Sequence, residues 1–235
     1  MNSEMTVSEA LLSRRSVRAF TNAAIPREVI EQILTNASRA PSGTNTQPWK
    51  VYVVSGTARR NLCNQVLAMR ETEPEREGRD MPFGEYEYYP RPMEEPYLGR
   101  CRKVGWDMYQ RLGVEAGDRR ASWKVAGRNF EFFGAPVGLI FTLDKVLRNG
   151  SWLDLGMFMQ SIMLCARDAG LDSCAQGAWA FYYDVVRSCL SIPESEMVVC
   201  GMAIGFAEPD AVVNQMRTER EPLSKFARFI EAIPD

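Results

Sequence analysis

Chemistry-bearing side chains first gather between positions 13 and 20. There Ser13-Arg14-Arg15-Ser16-Val17-Arg18-Ala19-Phe20 sets three guanidinium groups and two hydroxyls within six positions. Arginine's planar fork of donors matches phosphate oxygens in pairs, and serine hydroxyls fill the remaining sites. On these eight residues alone a solvated basic turn is the stronger reading. A second gathering, Pro41-Ser42-Gly43-Thr44-Asn45-Thr46-Gln47-Pro48-Trp49, is dense in hydroxyls and amides. A polar loop held between a helix and a core strand is where recognition residues collect, although an ordinary turn-rich connection reads the same way. Two more stretches join them: the turn Cys174-Ala175-Gln176-Gly177, where glycine lets backbone approach a flat ligand, and Asn214-x-x-Arg217-x-x-Arg220-x-Pro222, which taken alone also reads as a solvated charge run.

What is missing is as informative. The chain has no histidine, which excludes Ser-His-Asp and Cys-His triads, a histidine-ligated zinc and a histidine general base. The six cysteines form no CxxC pair and several lie in apolar surroundings, so they read as buried thiols with no metal bound. An enzyme built this way takes its chemistry from a bound cofactor. A net charge of only −2 gives no electrostatic case for nucleic acid or an acidic membrane. No apolar run is long enough to span a bilayer, and the N-terminus lacks the form of a secretion signal. The expectation is a cytoplasmic protein.

The elements that must position these residues follow from spacing. Thr6-x-x-Glu9 has the form of a capping box opening a short helix that ends near Arg14. Pro26 suits the first turn of a second helix, with Val29, Ile30, Ile33, Leu34 and Ala37 on one face. It must stop before Pro41. Lys50–Val54 reads as a strand and Thr57–Met69 as a third helix. Residues 71–97 then carry five prolines and the aromatics Phe83, Tyr86, Tyr88, Tyr89 and Tyr97, which suggests a lid or excursion packed on the main body. Helical pieces resume at Arg100–Leu112 and Arg119–Phe133. Pro136–Leu143 is a buried strand by its apolar continuity. Leu153–Ala169, closed by Gly170, is a helix apolar nearly all round, hence a central helix or a subunit seam. Met197–Phe206 is a further strand and Pro222–Ile230 a terminal helix. Mixed helices and strands of this kind give an α+β or α/β sandwich.

Taken together and in order, RRSVRAF at 14–20, APSGTNTQPW at 40–49, the Cys174–Gly177 stretch and the Asn214–Pro222 tail resemble the FMN-dependent nitroreductase family along nearly the whole chain. That resemblance implies an α+β (α/β/α sandwich) fold, with a central mostly antiparallel sheet flanked by helices, in a domain-intertwined homodimer. The chain would be a single nitroreductase-like domain over 1–235, with the excursion at about 71–125 and a C-terminal tail at about 208–235 reaching the partner subunit. By resemblance Arg14, Ser16 and Arg220 hold the FMN phosphate, with Arg15 and Arg217 beside them. Arg18 points at the N1–C2=O edge of the flavin, where a preorganised cation stabilises the charge left by reduction. Gln176 and Gly177 lie beside N5, and Pro41, Ser42, Gly43 and Asn45 reach the partner's flavin. Ala175 and Gln176 stand where relatives carry proline and glutamate, so a neutral amide would sit near the ring.

The implied activity is ping-pong hydride transfer through flavin N5, from NADPH or NADH to a small nitroaromatic or quinone-like acceptor. The aromatics of the excursion, Tyr88 and Trp123 above all, would line the acceptor pocket. Two alternatives stay open. The same flavin scaffold can run reductive dehalogenation or a flavin-dependent dehydrogenation, or the chain can bind flavin without catalysis.

Overall fold

The computed structural model describes residues 5–77 and 84–231. Phe83 of the excursion and the final residues of the tail, 232–235, lie outside them. Helix α1 (Val7–Ser13) opens with the capping box read from the sequence: the Glu9 N–H donates to the Thr6 hydroxyl at 3.2 Å, and the Thr6 N–H donates to the Glu9 carboxylate at 2.7 Å. From Arg14 the backbone turns extended. Pro26 stands immediately before α2 (Arg27–Ala37), which buries Ile30, Ile33 and Ala37 on one face.

Four strands, β1 (Lys50–Ser55), β2 (Val137–Asp144), β3 (Asp172–Gln176) and β4 (Glu196–Gly205), form an antiparallel sheet in the order β1-β2-β4-β3. Helices cover both faces, so the fold is the expected α/β/α sandwich. Side chains alternate between the faces of a strand, and β2 shows it: Leu139, Phe141 and Leu143 enter one core while Ile140 enters the other. The first core joins them to α2 and α6 (Asn149–Asp168) through Ile33, Leu155, Phe158 and Ile162. The second is built by α3 (Gly56–Thr72), α7 (Tyr183–Leu190) and two 3-10 segments, Arg128–Gly134 and Gly177–Tyr182, with Leu62, Val66, Phe130, Phe132, Trp179 and Tyr182. With both faces covered, β2 reads as one apolar run.

Four expectations need correction. Cys174–Gly177 is not simply a turn: Cys174 to Gln176 end strand β3, whose weak intrinsic preference is overridden by pairing with β4. The helix expected over Arg119–Phe133 stops as α5 (Arg119–Gly127) and continues as a 3-10 segment with Phe132 and Phe133 at φ 51° and 54°. Successive residues of an α-helix lie about 100° apart, so a straight helix cannot bury Phe130, Phe132 and Phe133 together as this segment does. Helix α6 is covered along the stripe Leu155, Phe158, Ile162 and Ala166, while Leu153 and Met157 are exposed within the chain. The terminal helix shrinks to a single turn, Leu223–Phe226. Its apolar residues and those after it, Phe226, Phe229 and Ile230, are exposed, and so short a helix with no buried face does not hold.

The excursion contributes α4 (Tyr97–Arg111) and α5, and a buried arginine ties it down. Arg70 Nε donates to Glu77 at 2.6 Å, Nη2 donates to the Trp123 carbonyl at 2.7 Å, and the guanidinium lies 3.4 Å from the Trp123 ring centre. The Tyr182 hydroxyl donates to the same Glu77 carboxylate at 2.9 Å. All six cysteines are free. Cys63, Cys174 and Cys200 are buried, and burial pushes the Cys200 thiol up to about 12.

Candidate functional site

Residues 14–20 leave α1 as an extended segment laid along β3. Ser16 bridges Ser173, the Val17 N–H donates to the Ser173 carbonyl at 3.1 Å, and Phe20 bridges Ala207. Burial of Val17, Ala19 and Phe20 fixes the segment's register. The tail returns beside it. Asn214, buried in the 3-10 turn Val212–Gln215, accepts from the N–H groups of Arg18 and Ala19 at 2.9 and 3.1 Å and donates to the carbonyls of Ala19 and Glu208 at 2.8 and 3.1 Å. One amide thus bonds four backbone groups: the Arg18 and Ala19 N–H groups, and the Ala19 and Glu208 carbonyls, which also accept from the N–H groups of Glu208 and Ala211 at 2.9 and 3.4 Å. It joins the two chain ends that carry the arginines.

The result is a cavity of about 260 Å³ lined by Arg14, Arg15, Ser16, Arg18, Arg217 and Arg220, with Leu11, Leu12, Met216 and Thr218 around them. Five arginines line it and no acidic residue does. Arg217 and Arg220 are steadied by their own backbone: Arg217 Nη1 donates to the Asn214 and Met216 carbonyls at 3.2 Å, and Arg220 Nη1 donates to the Thr218 hydroxyl at 2.7 Å. Burial holds the Arg15 guanidinium below its usual range and nearby Arg217 adds to that, with Asp172 opposing. Arg15 Nε is buried with no hydrogen-bond partner among the described residues. Asp172 does not relieve it directly, because its carboxylate accepts from Arg167 Nη1 at 2.9 Å. Like charges held together, one of them desolvated and unpaired, fit a multiply charged anion with several acceptor oxygens, and a phosphate monoester dianion has that form.

At the far end of β3 the Gln176 amide is engaged at both ends. Its Nε2 donates to the Asn129 carbonyl at 2.7 Å and its Oε1 accepts from Trp179 Nε1 at 3.4 Å. The side chain is only 2% exposed. Gly201, opposite Gln176 on β4, lies against the Trp179 ring so closely that a Cβ there would collide with it. The side chain at 176 therefore braces the two 3-10 segments, and the half-buried backbone of Gly177 is what remains for a ligand. The alternation of β3 leaves Ala175 exposed on the opposite side.

The loop 41–49 is exposed over Gly43–Gln47, and Thr44, Asn45 and Gln47 adopt positive φ values of 49°, 60° and 47°. Non-glycine residues in this region are costly and persist only where their surroundings impose them. Here the surroundings are α6 and the loop itself. The Gly43 N–H donates to Asp154 at 3.2 Å, the Gln47 N–H donates to the Ser42 hydroxyl at 3.0 Å, and Trp49 stacks on Phe158 with ring centres 4.6 Å apart. Pro41, Ser42, Gly43 and Asn45 do not line the arginine cavity of their own chain.

Tyr88 and Trp123 are not brought together. Tyr88 lines a cavity with Tyr86 and Trp152, whereas Trp123 is taken up by Arg70. Asn214 and Trp152 are the residues that sequence reasoning passed over. Asn214 stood within the tail motif and was recognisable as an asparagine among arginines. Trp152 stands one residue before the expected start of the apolar helix at Leu153, whereas α6 begins at Asn149 and includes it.

The model of the nitroreductase family matches residues 11–206. The chain is 37% identical over 224 residues to a chloronitrobenzene nitroreductase of Comamonas testosteroni, covering 95% of this chain and 96% of that one. It is 38% identical to a 4-nitrobenzoate reductase of Pseudomonas putida, covering 93% and 92%. Among solved structures, the FMN-dependent nitroreductase NfnB of Mycobacterium smegmatis in complex with NADPH superposes with a TM-score of 0.88 at 29% identity, over 96% of this chain and 98% of that one.

Proposed function

The chain belongs to the nitroreductase family, and from that premise we propose that it is an FMN-dependent oxidoreductase that uses NADPH or NADH to reduce small nitroaromatic or quinone-like acceptors. The observation that carries this is the arginine cavity with its unpaired buried Nε and no carboxylate in its lining. Arg14, Ser16 and Arg220 would hold the FMN phosphate, with Arg15 and Arg217 adding charge-assisted donors, each about twice as strong as a neutral hydrogen bond. When bound, the flavin supplies the two-electron relay between nicotinamide and acceptor. Arg18 provides a preorganised cation for the charge that reduction leaves on the ring. Gln176 fixes the backbone of Gly177 from inside the core, and that backbone gives the ring its support. No side chain here needs to act as a general base, which suits a chain without histidine.

The same reading makes the protein a homodimer in which Pro41, Ser42, Gly43 and Asn45 reach the partner's flavin. Its support is apolar surface that one chain leaves open: Leu153 and Met157 on α6, and Leu223, Phe226, Phe229 and Ile230 on the tail. Obligate interfaces bury such residues. We treat 1–235 as one domain, with the excursion and tail as its additions. Among the described residues no helix is long and apolar enough to cross a membrane, and we assign the protein to the cytoplasm.

The test is an absorbance spectrum of the purified protein before and after anaerobic NADPH and NADH. Flavin bands that bleach, then return on adding a nitroarene, establish both half-reactions. Bound flavin that no nicotinamide bleaches would make the protein a flavin carrier. Failure to take up added FMN would overturn the reading of the cavity.

A further inference from the structure

A second, larger cavity of about 730 Å³ lies between the excursion and the start of α6. Its aromatic corner is made by Tyr86, Tyr88 and Trp152. Tyr86 packs edge-on against Trp152 with ring centres 4.7 Å apart and is tilted against Tyr88 at 6.2 Å. Tyr86 is fixed by the sheet. The β2–β4 register slips between Phe141 and Thr142, so that Cys200 and Val198 face them and Val199 is left over. The carbonyl of that bulged residue accepts the Tyr86 hydroxyl at 2.6 Å. A bulge frees a backbone group from its ladder and re-aims the chain around it. Next to it, Glu85 accepts from the Val198 N–H at 3.2 Å, from Arg187 at 2.8 Å and from Lys145 at 2.9 Å.

Those contacts settle the charges around the cavity. Glu85 and Lys145 are committed to each other, and Glu87 lies 3.9 Å from Arg91. Arg148, on the rim at the residue before α6, forms no ion pair among the described residues. A flat apolar ring held among fixed aromatics, with an uncommitted guanidinium at the edge, is complementary to an aromatic carboxylate. The rings take the arene by stacking and edge contacts, and the arginine fork takes the carboxylate with two parallel bonds.

We infer that this cavity receives the acceptor and that Arg148 makes the enzyme selective for nitroaromatic carboxylic acids over neutral nitroarenes. The inference deepens the reductase reading and rests on it. The experiment compares 4-nitrobenzoate with nitrobenzene as acceptors for the flavin-loaded wild-type protein, Arg148→Gln and Arg148→Lys. The expected result is a wild-type preference for the acid that falls by about tenfold or more in Arg148→Gln, as befits loss of one charged hydrogen-bonding partner. The fall should sit in KM rather than kcat, and Arg148→Lys should restore part of it. An unchanged preference, or a loss that falls on KM for NADPH instead, overturns the inference. Turnover of nitrobenzene without preference for the acid does so too, while leaving the reductase reading intact. If the loaded protein reduces neither acceptor, the reductase reading falls, and calorimetric titration with 4-nitrobenzoate decides the site. Binding that Arg148→Gln abolishes upholds it, and absence of binding by the wild type ends it.

Discussion

Replacing Asn214 by alanine isolates the contact that joins the two halves of the arginine cavity. The side chain makes four hydrogen bonds to backbone, two accepted from Arg18 and Ala19 and two donated to Ala19 and Glu208. It is buried, as is Ala19. Each bond contributes about 0.5–1.5 kcal/mol net, and a buried group left unpaired costs about 1–3 kcal/mol. The Ala19 and Glu208 carbonyls keep bonds from the N–H groups of Glu208 and Ala211, so the penalty for unpaired groups falls on the Arg18 and Ala19 N–H groups. We expect a loss of about 3 kcal/mol, read as an earlier midpoint in urea at unchanged slope and fixed protein concentration. Asn214 does not line the cavity, so any accompanying loss of FMN affinity must come from displacement of residues 14–18 against 216–220. A stability loss below about 1 kcal/mol would mean that fewer than two of these bonds matter. Lost stability with unaltered flavin affinity would refute the idea that this amide holds the cradle together.

Three further outcomes follow from the same contacts. Arg15→Gln should weaken FMN binding by about 1.5–3 kcal/mol, roughly 10- to 100-fold, by loss of a charged donor, while leaving the flavin-free protein as stable or more so because a desolvated, unpaired charge is removed; a flavin titration and a melt of the apoprotein check the two signs. Glu196 is a buried carboxylate for which burial favours the neutral form, but hydrogen bonds from Thr142, Lys50 and Tyr52 outweigh it and hold the group below its ordinary value of 4.5. Its contribution to stability is therefore present above pH 4.5 and lost as pH falls through the lower folded value, so acid unfolding curves of the wild type and Glu196→Gln should converge on acidification. Arg70→Met leaves the half-buried Glu77 beside Tyr182 without its cation, which should cost about 3 kcal/mol, the lower end for a broken buried pair, and speed proteolytic cleavage within 71–125, seen by limited digestion.

The parts of the site legible in the sequence were those written locally. The capping box, the spacing of Arg14, Ser16 and Arg18, and the polar loop before β1 each need only a few consecutive residues; the box opens α1, the loop precedes β1, and the three residues line one cavity. The part that was not legible depends on partners far along the chain. Asn214 bonds to backbone atoms up to 196 positions away, and a backbone atom carries no residue-type signal. Trp123 and Tyr88 share an aromatic stretch and so looked alike, but Arg70 claims one and the sheet bulge organises the surroundings of the other. Gln176 invited an argument about charge beside a ring because its identity differs from the family pattern. Its direction was hidden, since strand β3 itself was not foreseen, and strand alternation turns the amide into the core.

Arg70, Arg187 and Arg15 each hold guanidinium nitrogens out of solvent, and comparing them separates architecture from function. Arg70 meets a carboxylate, a carbonyl and an aromatic face within the fold. Arg187 leaves its Nε without a partner, yet its Nη2 donates to Glu85 and to the Glu196 carbonyl at 2.8 Å, so its charge is answered internally. Arg15 has less relief: its Nε has no hydrogen-bond partner, Arg217 repels it, and Asp172, which favours its charge, bonds to Arg167 instead. A partly desolvated charge so weakly answered is an expensive feature for a fold to keep. Arg70 and Arg187 repay their desolvation by fastening the excursion and the end of β4 to the core. For Arg15, the Nε is left for a partner from outside the chain, and that, more than the number of arginines, is why we propose the cavity at the joined chain ends as the phosphate site.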